Sequence, residues 1–334
     1  GASSTQETKA ATTEATVTEA ASEATEALES EGAKADGTYK VGIIQLIENG
    51  AFNDMREGFI EELQAKGYTE DKLTVDYKCA QGDATNLQTI AQSMADGKYD
   101  LVCTIATPAT QAMVNLDTDT PVVFIAVSAP VAAGVITDMD HPDKNATGTS
   151  NAIPVSDIFA LSNQLTPDCK TFGFLYCTSE VNSVNTIEAA KEYCDANGLS
   201  YKEATVTNSS EVQQAAQSLV GSVDAMFVPN DSVIQAGMTL VSEVARDAKI
   251  PVYCSSATTV ESGAFATVAI SDKGIGAMSA DMAVQILDGT AVADIPAVVV
   301  PASATVINNQ TLEALGITLS DDVKNTATFV DDAQ

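Results

Sequence analysis

The chain has 334 residues, 45% of them apolar, and carries 46 Asp and Glu against 16 Lys and Arg, a formal charge of −30 at pH 7. Its two arginines, Arg56 and Arg246, belong to no basic cluster, so the chain lacks the surface that nucleic-acid phosphates require. One histidine, His141, and six cysteines with no short-spaced pair speak against zinc centres and histidine-dependent nucleophiles, and no apolar run reaches the roughly 18 residues of a membrane span.

Residues 1–38 form a compositional block in which 29 are Ala, Thr, Ser or Glu, with seven Glu and one Asp against two Lys. Such a stretch buries too little apolar area to offset its ordering entropy, so it is expected to be a flexible acidic spacer holding the body away from an anchoring surface. No charged and apolar leader precedes it, so any targeting peptide is expected to have been removed. The remaining 296 residues, 39–334, suit two lobes of about 150 residues each.

Along the body, apolar runs at 40–47, 73–78, 101–104 and 122–126 alternate with helical periodicities at 54–66, 86–94 and 110–116. A second series has strands at 171–176, 200–205, 225–229, 252–254 and 265–270, and helices at 184–196, 212–219, 233–247 and 274–287. Strands alternating with helices predict an α/β fold of two doubly wound parallel-sheet lobes. The glycines at 274 and 276 lack the rest of a nucleotide fingerprint and read as close helix packing. The six cysteines, at 79, 103, 169, 177, 194 and 254, are expected to be scattered buried thiols.

In doubly wound sheets the ligand loops lie at the carboxyl ends of the strands. Here those loops combine small hydroxyl residues with carboxylates or amides: Glu48, Phe52 and Asp54; Thr107, Pro108 and Ala109; Ser128; Ser179, Glu180, Asn182 and Ser183; Asn230 and Asp231; Ser256. An α-amino acid needs hydroxyls or free N–H groups for its carboxylate and an acid for its ammonium, and these loops offer both. Both arginines fall outside the loops and tryptophan is absent, which makes a sugar the weaker ligand class. Phe52 and Tyr176 are candidate rim aromatics. No cofactor is implied, and no nucleophile, metal or cofactor signature supports an enzyme.

The stretches DMREGF at 54–59, TPATQA at 107–112, YCTSEVNS at 176–183, VTNSSEVQQAAQSL at 206–219, VDAMFVPND at 223–231 and GAFA at 263–266 together resemble the substrate-binding proteins of ABC transporters, of the type that binds aromatic amino acids. The resemblance covers about residues 39–317. It implies a type I periplasmic-binding-protein fold with a multi-crossing hinge, its lobes being 39–150 with about 272–298 and 151–271 with about 299–334, and a ligand held between lobes. It also implies an ABC permease as partner, a monomeric binder and an extracytoplasmic place on an N-terminal lipid anchor, with Gly1 standing where a lipidated cysteine is expected. By position it assigns Ser179, Glu180, Asn182 and Ser183 to the second-lobe loop and Asn230-Asp231 to the ligand's polar end, with Asp231 on the ammonium. It assigns Thr107, Pro108 and Ala109, beside Glu48, Phe52 and Asp54, to the first lobe. Two departures stand out: Ser128-Ala129-Pro130 lacks an expected Asp, and Asn49-Gly50 replaces His-Pro. A branched aliphatic amino acid, a sugar or nucleoside on the same fold, and a regulator's ligand-sensing domain are the alternatives. Deleting residues 1–38 should leave the body's melting temperature unchanged in scanning fluorimetry, since no packed surface is expected to be lost.

Overall fold

A computed structural model describes residues 37–96 and 98–334; the expected spacer falls, over 1–36, outside the described residues. The chain divides into two compact units, residues up to Ala152 with Asp272–Val300, and Ile153–Ser271 with Pro301–Gln334. Strand and helix labels run in chain order across both.

Unit 1 holds a six-stranded parallel sheet in the order β11-β5-β4-β3-β1-β2. Its strands are β1 (Tyr39–Gln45), β2 (Leu73–Cys79), β3 (Leu101–Ile105), β4 (Val122–Ile125), β5 (Ala146–Ser150) and β11 (Val298–Val299). The helices are α1 (Gly50–Ala65), α2 (Ala84–Ala95), α3 (Ala106–Val114) and α10 (Asp272–Leu287). β3, β4 and β5 are buried along their whole length, which is why β3 and β4 read as continuous apolar runs rather than alternating patterns.

Of the two glycines read as packing residues, Gly276 is in close backbone contact, and Gly58, which the sequence pattern did not single out, faces it. A Cβ on Gly276 would lie 2.1 Å from the carbonyl oxygen of Met55, and one on Gly58 would lie 2.2 Å from that of Lys273, so the backbones of α10 and α1 touch where any side chain would part them. The strand β5 was not foreseen, because Ala-Thr-Gly-Thr-Ser has no apolar periodicity. Its hydroxyls are instead paired internally: Thr147 Oγ1 donates to the Ile295 carbonyl at 2.7 Å, and Thr149 Oγ1 meets Ser279 Oγ at 2.9 Å. Gly148 leaves room for the Phe124 carbonyl, which would stand 2.1 Å from a Cβ.

Unit 2 holds a seven-stranded sheet in the order β13-β12-β10-β9-β8-β6-β7. The strands are β6 (Thr171–Cys177), β7 (Ser200–Val206), β8 (Ala225–Val228), β9 (Val252–Cys254), β10 (Ala266–Ala269), β12 (Ala304–Asn308) and β13 (Thr328–Val330). The helices are α4 (Val155–Leu165), α5 (Val181–Ala196), α6 (Val212–Leu219), α7 (Ser232–Ala236), α8 (Met238–Ala248), α9 (Ala257–Glu261), α11 (Asn309–Leu315) and α12 (Asp321–Thr326). All pairings are parallel except β10 with β12. The chain leaves unit 2 just after β10 and returns just before β12, with the Ser303 backbone N–H donating to the Ala269 carbonyl at 2.9 Å, so β12 starts where β10 ends and runs back along it. One core face is aromatic, with Phe159 packed edge-on against Phe172 at 4.9 Å and Phe174 against Phe227 at 6.1 Å.

The helix expected over 233–247 is divided at Gly237 into α7 and α8. The missing side chain there admits Val212, whose Cβ would stand 3.0 Å from an added methyl group. All six cysteines are free, four of them fully buried. Gly276→Ala, or Gly58→Ala, should cost about 1–3 kcal/mol by forcing α1 and α10 apart. Denaturant melts check this, and an unchanged midpoint would contradict the backbone contact.

Candidate functional site

Each unit presents the carboxyl ends of its parallel strands along one edge, and the candidate residues lie there. In unit 1, Glu48 is exposed after β1 and accepts a hydrogen bond from the Tyr77 hydroxyl at 3.0 Å. Asn49 caps α1 by accepting from the Phe52 backbone N–H at 2.8 Å, which leaves the Phe52 ring half-buried in the first turn. Asp54 is exposed on the same helix. Asp272, at the start of α10, has its carboxyl pushed up by burial and then by the charge of Asp54.

Arg56 does not stand apart from these loops, contrary to the sequence expectation. It donates to Oε1 of the fully buried Gln45, the last residue of β1, at 2.6 Å, and it lies over the Tyr77 ring at 3.9 Å. Gln45 in turn donates through Nε2 to the Ile47 carbonyl and to Asn53 Oδ1, both at 3.1 Å. Separation along the sequence hid this because one and a half turns of α1 bring residue 56 back over the strand end. The network fixes the course of residues 45–53.

The residues at 106–109 are not a loop. α3 begins at Ala106 directly from β3, with Ala106 in the left-handed region at φ +67°, and Ile105 at its N-cap provides no side-chain bond. Thr107 is half-buried and Pro108 exposed, but Ala109 is wholly buried in the core among residues such as Ile44 and Phe124, so it offers a ligand no surface. Ser128 is exposed after β4, and its carbonyl accepts from Ser150 Oγ at 3.0 Å.

In unit 2, Asp231 departs most from its expected role. It is 4% exposed and caps α7, Oδ1 accepting from the backbone N–H groups of Val233 at 3.0 Å and Ile234 at 2.9 Å. Oδ2 accepts from the Cys177 N–H at 2.8 Å and from Ser183 Oγ at 2.7 Å. Four donors fill the roughly four acceptor positions of a carboxylate, so Asp231 ties β6, α5 and α7 together and has no capacity left for an ammonium. Ser183, also fully buried, serves that knot rather than the surface.

Around the knot the remaining candidates do face outward. Ser179 and Asn182 are exposed, and Ser179 Oγ lies 3.0 Å from Cys177 Sγ. Glu180 occupies the N-cap of α5 without capping it; its carboxylate instead accepts from the Ser232 hydroxyl and, at 3.1 Å, from the Ser232 N–H, contacts that hold it below the usual carboxylate range. Asn230 is exposed, while Ser256 is half-buried and caps α9. Tyr176 proves to be a core residue: its ring is buried, its hydroxyl donates to Glu203 at 2.7 Å, and burial first, then that carboxylate, push it up to about 12. Sequence reasoning also passed over three apolar side chains on these edges, Ile47, Val131 and Val181, which are 43%, 48% and 72% exposed. An apolar residue at the first position of a helix, as Val181 is in α5, was the available signal.

Residues 40–330 match the family described as ABC transporter substrate binding protein. The chain belongs to that family. It is 37% identical over 276 residues, 82% of this chain and 80% of the relative, to a tyrosine-binding protein of Clostridioides difficile. It is similar to the ligand-free, open structure of a substrate-binding protein with adhesive properties from Clostridium difficile, at 36% identity and a TM-score of 0.86, covering 89% of this chain and all of that one. A Streptococcus pneumonia ABC domain in complex with L-Trp aligns at 31% identity and a TM-score of 0.67, covering 88% and 100%. As a substrate-binding protein of an ABC system the chain is extracytoplasmic, takes a small-molecule ligand and has a permease partner.

Asp231→Ala should lower the stability of this substrate-binding protein by about 3 kcal/mol or more, since it strands three backbone N–H groups and a hydroxyl, whereas Asn230→Ala, an exposed truncation, should stay within about 0.5 kcal/mol. Urea melts of the two variants check this.

Proposed function

We propose that the protein captures an aromatic α-amino acid and hands it to an ABC importer, acting as a binder rather than an enzyme. The observation that carries the reading is the extended similarity to a tyrosine-binding protein, 37% identical over 82% of this chain. The local chemistry supports it. α5 begins without a side-chain cap, so first-turn N–H groups, with the Ser179 hydroxyl and the Asn182 amide, suit a carboxylate. Glu180 carries a low-lying carboxylate with acceptor capacity beyond its two bonds to Ser232, and it takes over from Asp231 as the acidic partner of the ammonium, with Asn230 beside it. In unit 1 the candidates are Thr107 and Pro108 at the uncapped start of α3, with Ser128, Glu48, Asp54 and Phe52, and Ser256 lines the edge of unit 2. Exposed Ile47, Val131 and Val181 supply the apolar surface that an aromatic side chain needs and a sugar does not.

In this reading the protein works as a monomer, and residues 1–38 act as the spacer between the body and a lipid anchor. Thermal shift should register Phe, Tyr or Trp and little from pentoses or hexoses, with about 2.7 kcal/mol of stabilisation at a hundredfold excess over Kd. A response to sugars alone would overturn the proposal. Glu180→Gln should weaken amino-acid binding in calorimetry while leaving the unliganded melt nearly unchanged.

A further inference from the structure

Among the described residues, one buried side-chain nitrogen or oxygen has no hydrogen-bond partner: Oδ1 of Asn151. Folded proteins rarely leave such an atom unmatched, and where they do the position asks for a reason. Asn151 comes one residue after β5, at the carboxyl edge of the unit 1 sheet, and it is not among the residues that the sequence pattern or the family resemblance single out.

The hydroxyls nearest to it in sequence are already engaged. Ser150 Oγ donates to the Ser128 carbonyl at 3.0 Å and accepts from the Ala152 N–H at 3.3 Å. Thr149 Oγ1 accepts from the Ala126 N–H at 3.2 Å and pairs with Ser279 Oγ, which itself donates to the Phe124 carbonyl at 2.8 Å. The hydroxyls flanking Asn151 on β5 are therefore committed to holding β4, β5 and α10 in register. The same edge carries two non-glycine residues in the left-handed region, Ala106 at φ +67° after β3 and Ala126 at φ +59° after β4. Left-handed backbone and an unmatched acceptor thus fall at three successive strand ends, and strained backbone of this kind clusters at functional sites.

We propose that Asn151 is a ligand-binding residue whose side-chain carbonyl accepts a hydrogen bond from the α-ammonium of the bound amino acid. The inference rests on the amino-acid reading given above and adds to it a neutral acceptor in unit 1. An ammonium carries three donors and is compatible with one carboxylate plus neutral oxygens. The ammonium, rather than a side-chain donor of the ligand, is the group common to all aromatic amino acids. Placing it on the amide oxygen gives the buried atom its missing partner.

The test is a calorimetric comparison of Asn151→Leu and Asn151→Asp with the wild-type chain, using L-tyrosine and its des-amino analogue 3-(4-hydroxyphenyl)propionate. Asn151→Leu should weaken tyrosine binding by about 10- to 100-fold, with the melting temperature of the unliganded protein unchanged or raised, because removing an unpaired acceptor breaks no bond. Asn151→Asp, which keeps an acceptor, should bind tyrosine within about threefold of wild type. The loss in Asn151→Leu should disappear with the des-amino analogue; if that analogue binds the wild type too weakly to measure, the contrast between Leu and Asp decides. Unchanged affinity in Asn151→Leu, equal losses in both variants, equal losses for both ligands, or a fall of several degrees in the unliganded melt would each overturn the proposal. Wild-type protein that binds no aromatic amino acid would overturn the functional reading and this inference together, whereas wild-type binding with an indifferent Asn151→Leu would overturn this inference alone.

Discussion

The contact that the rest of unit 1 depends on is the meeting of two helix backbones, α1 and α10, at Gly58 and Gly276. Unit 1 is not continuous in sequence: the chain departs after Ala152 and returns at Asp272, so its last helix must be recovered across a long intervening segment. Two glycines let α10 settle against α1 closely enough for Ser279 to reach Thr149 and the Phe124 carbonyl. That placement carries the chain on to Ile295, which accepts from Thr147, and to β11, which pairs with β5. A polar strand with little apolar content is held in a buried position because a helix from far along the chain brings partners for its hydroxyls.

Unit 2 uses a charged version of the same strategy. Asp231 gathers the end of β6, the first turn of α5 and the start of α7 onto one carboxylate, and the exposed Ser179, Asn182 and Asn230 and the half-buried Glu180 flank that knot. Residue type alone would nominate Asp231 for ligand contact, and its location was rightly read as the edge of the sheet. Its bonding separates a residue that shapes an edge from one that meets what binds there. Glu180 shows the reverse: it sits at an N-cap and leaves that cap unmade, its carboxylate turned to Ser232.

Much of the α/β order was legible because strands buried on both faces announce themselves as apolar runs, as 101–104 and 225–228 do, and because helices between them keep a clear period. What escaped had a physical reason in each instance. β5 hides its burial in threonine and glycine. β12 runs against its neighbour because the chain leaves and re-enters at one end of the sheet. α3 starts without a loop because Ala106 adopts a backbone conformation that composition does not disclose. At the candidate edges the residue types were readable, but partner counts were not. Arg56 joins the β1 loop through helical geometry, Ala109 and Ser183 withdraw into the interior, and Asn151 carries an unmatched buried oxygen that its residue type does not announce.

The cysteines bear on where such a protein can mature. All six are unbridged, Cys103 and Cys254 lie sealed in the cores of their units, and burial pushes the Cys254 thiol up to about 12 and that of Cys103 well above its ordinary value. Thiols held this firmly in the protonated form are poor nucleophiles toward oxidants and mixed disulfides. With no disulfide in its folded form, the chain asks nothing of a thiol oxidase or isomerase on the far side of a membrane, and only the half-buried Cys79 and Cys169 stand within reach of an oxidant.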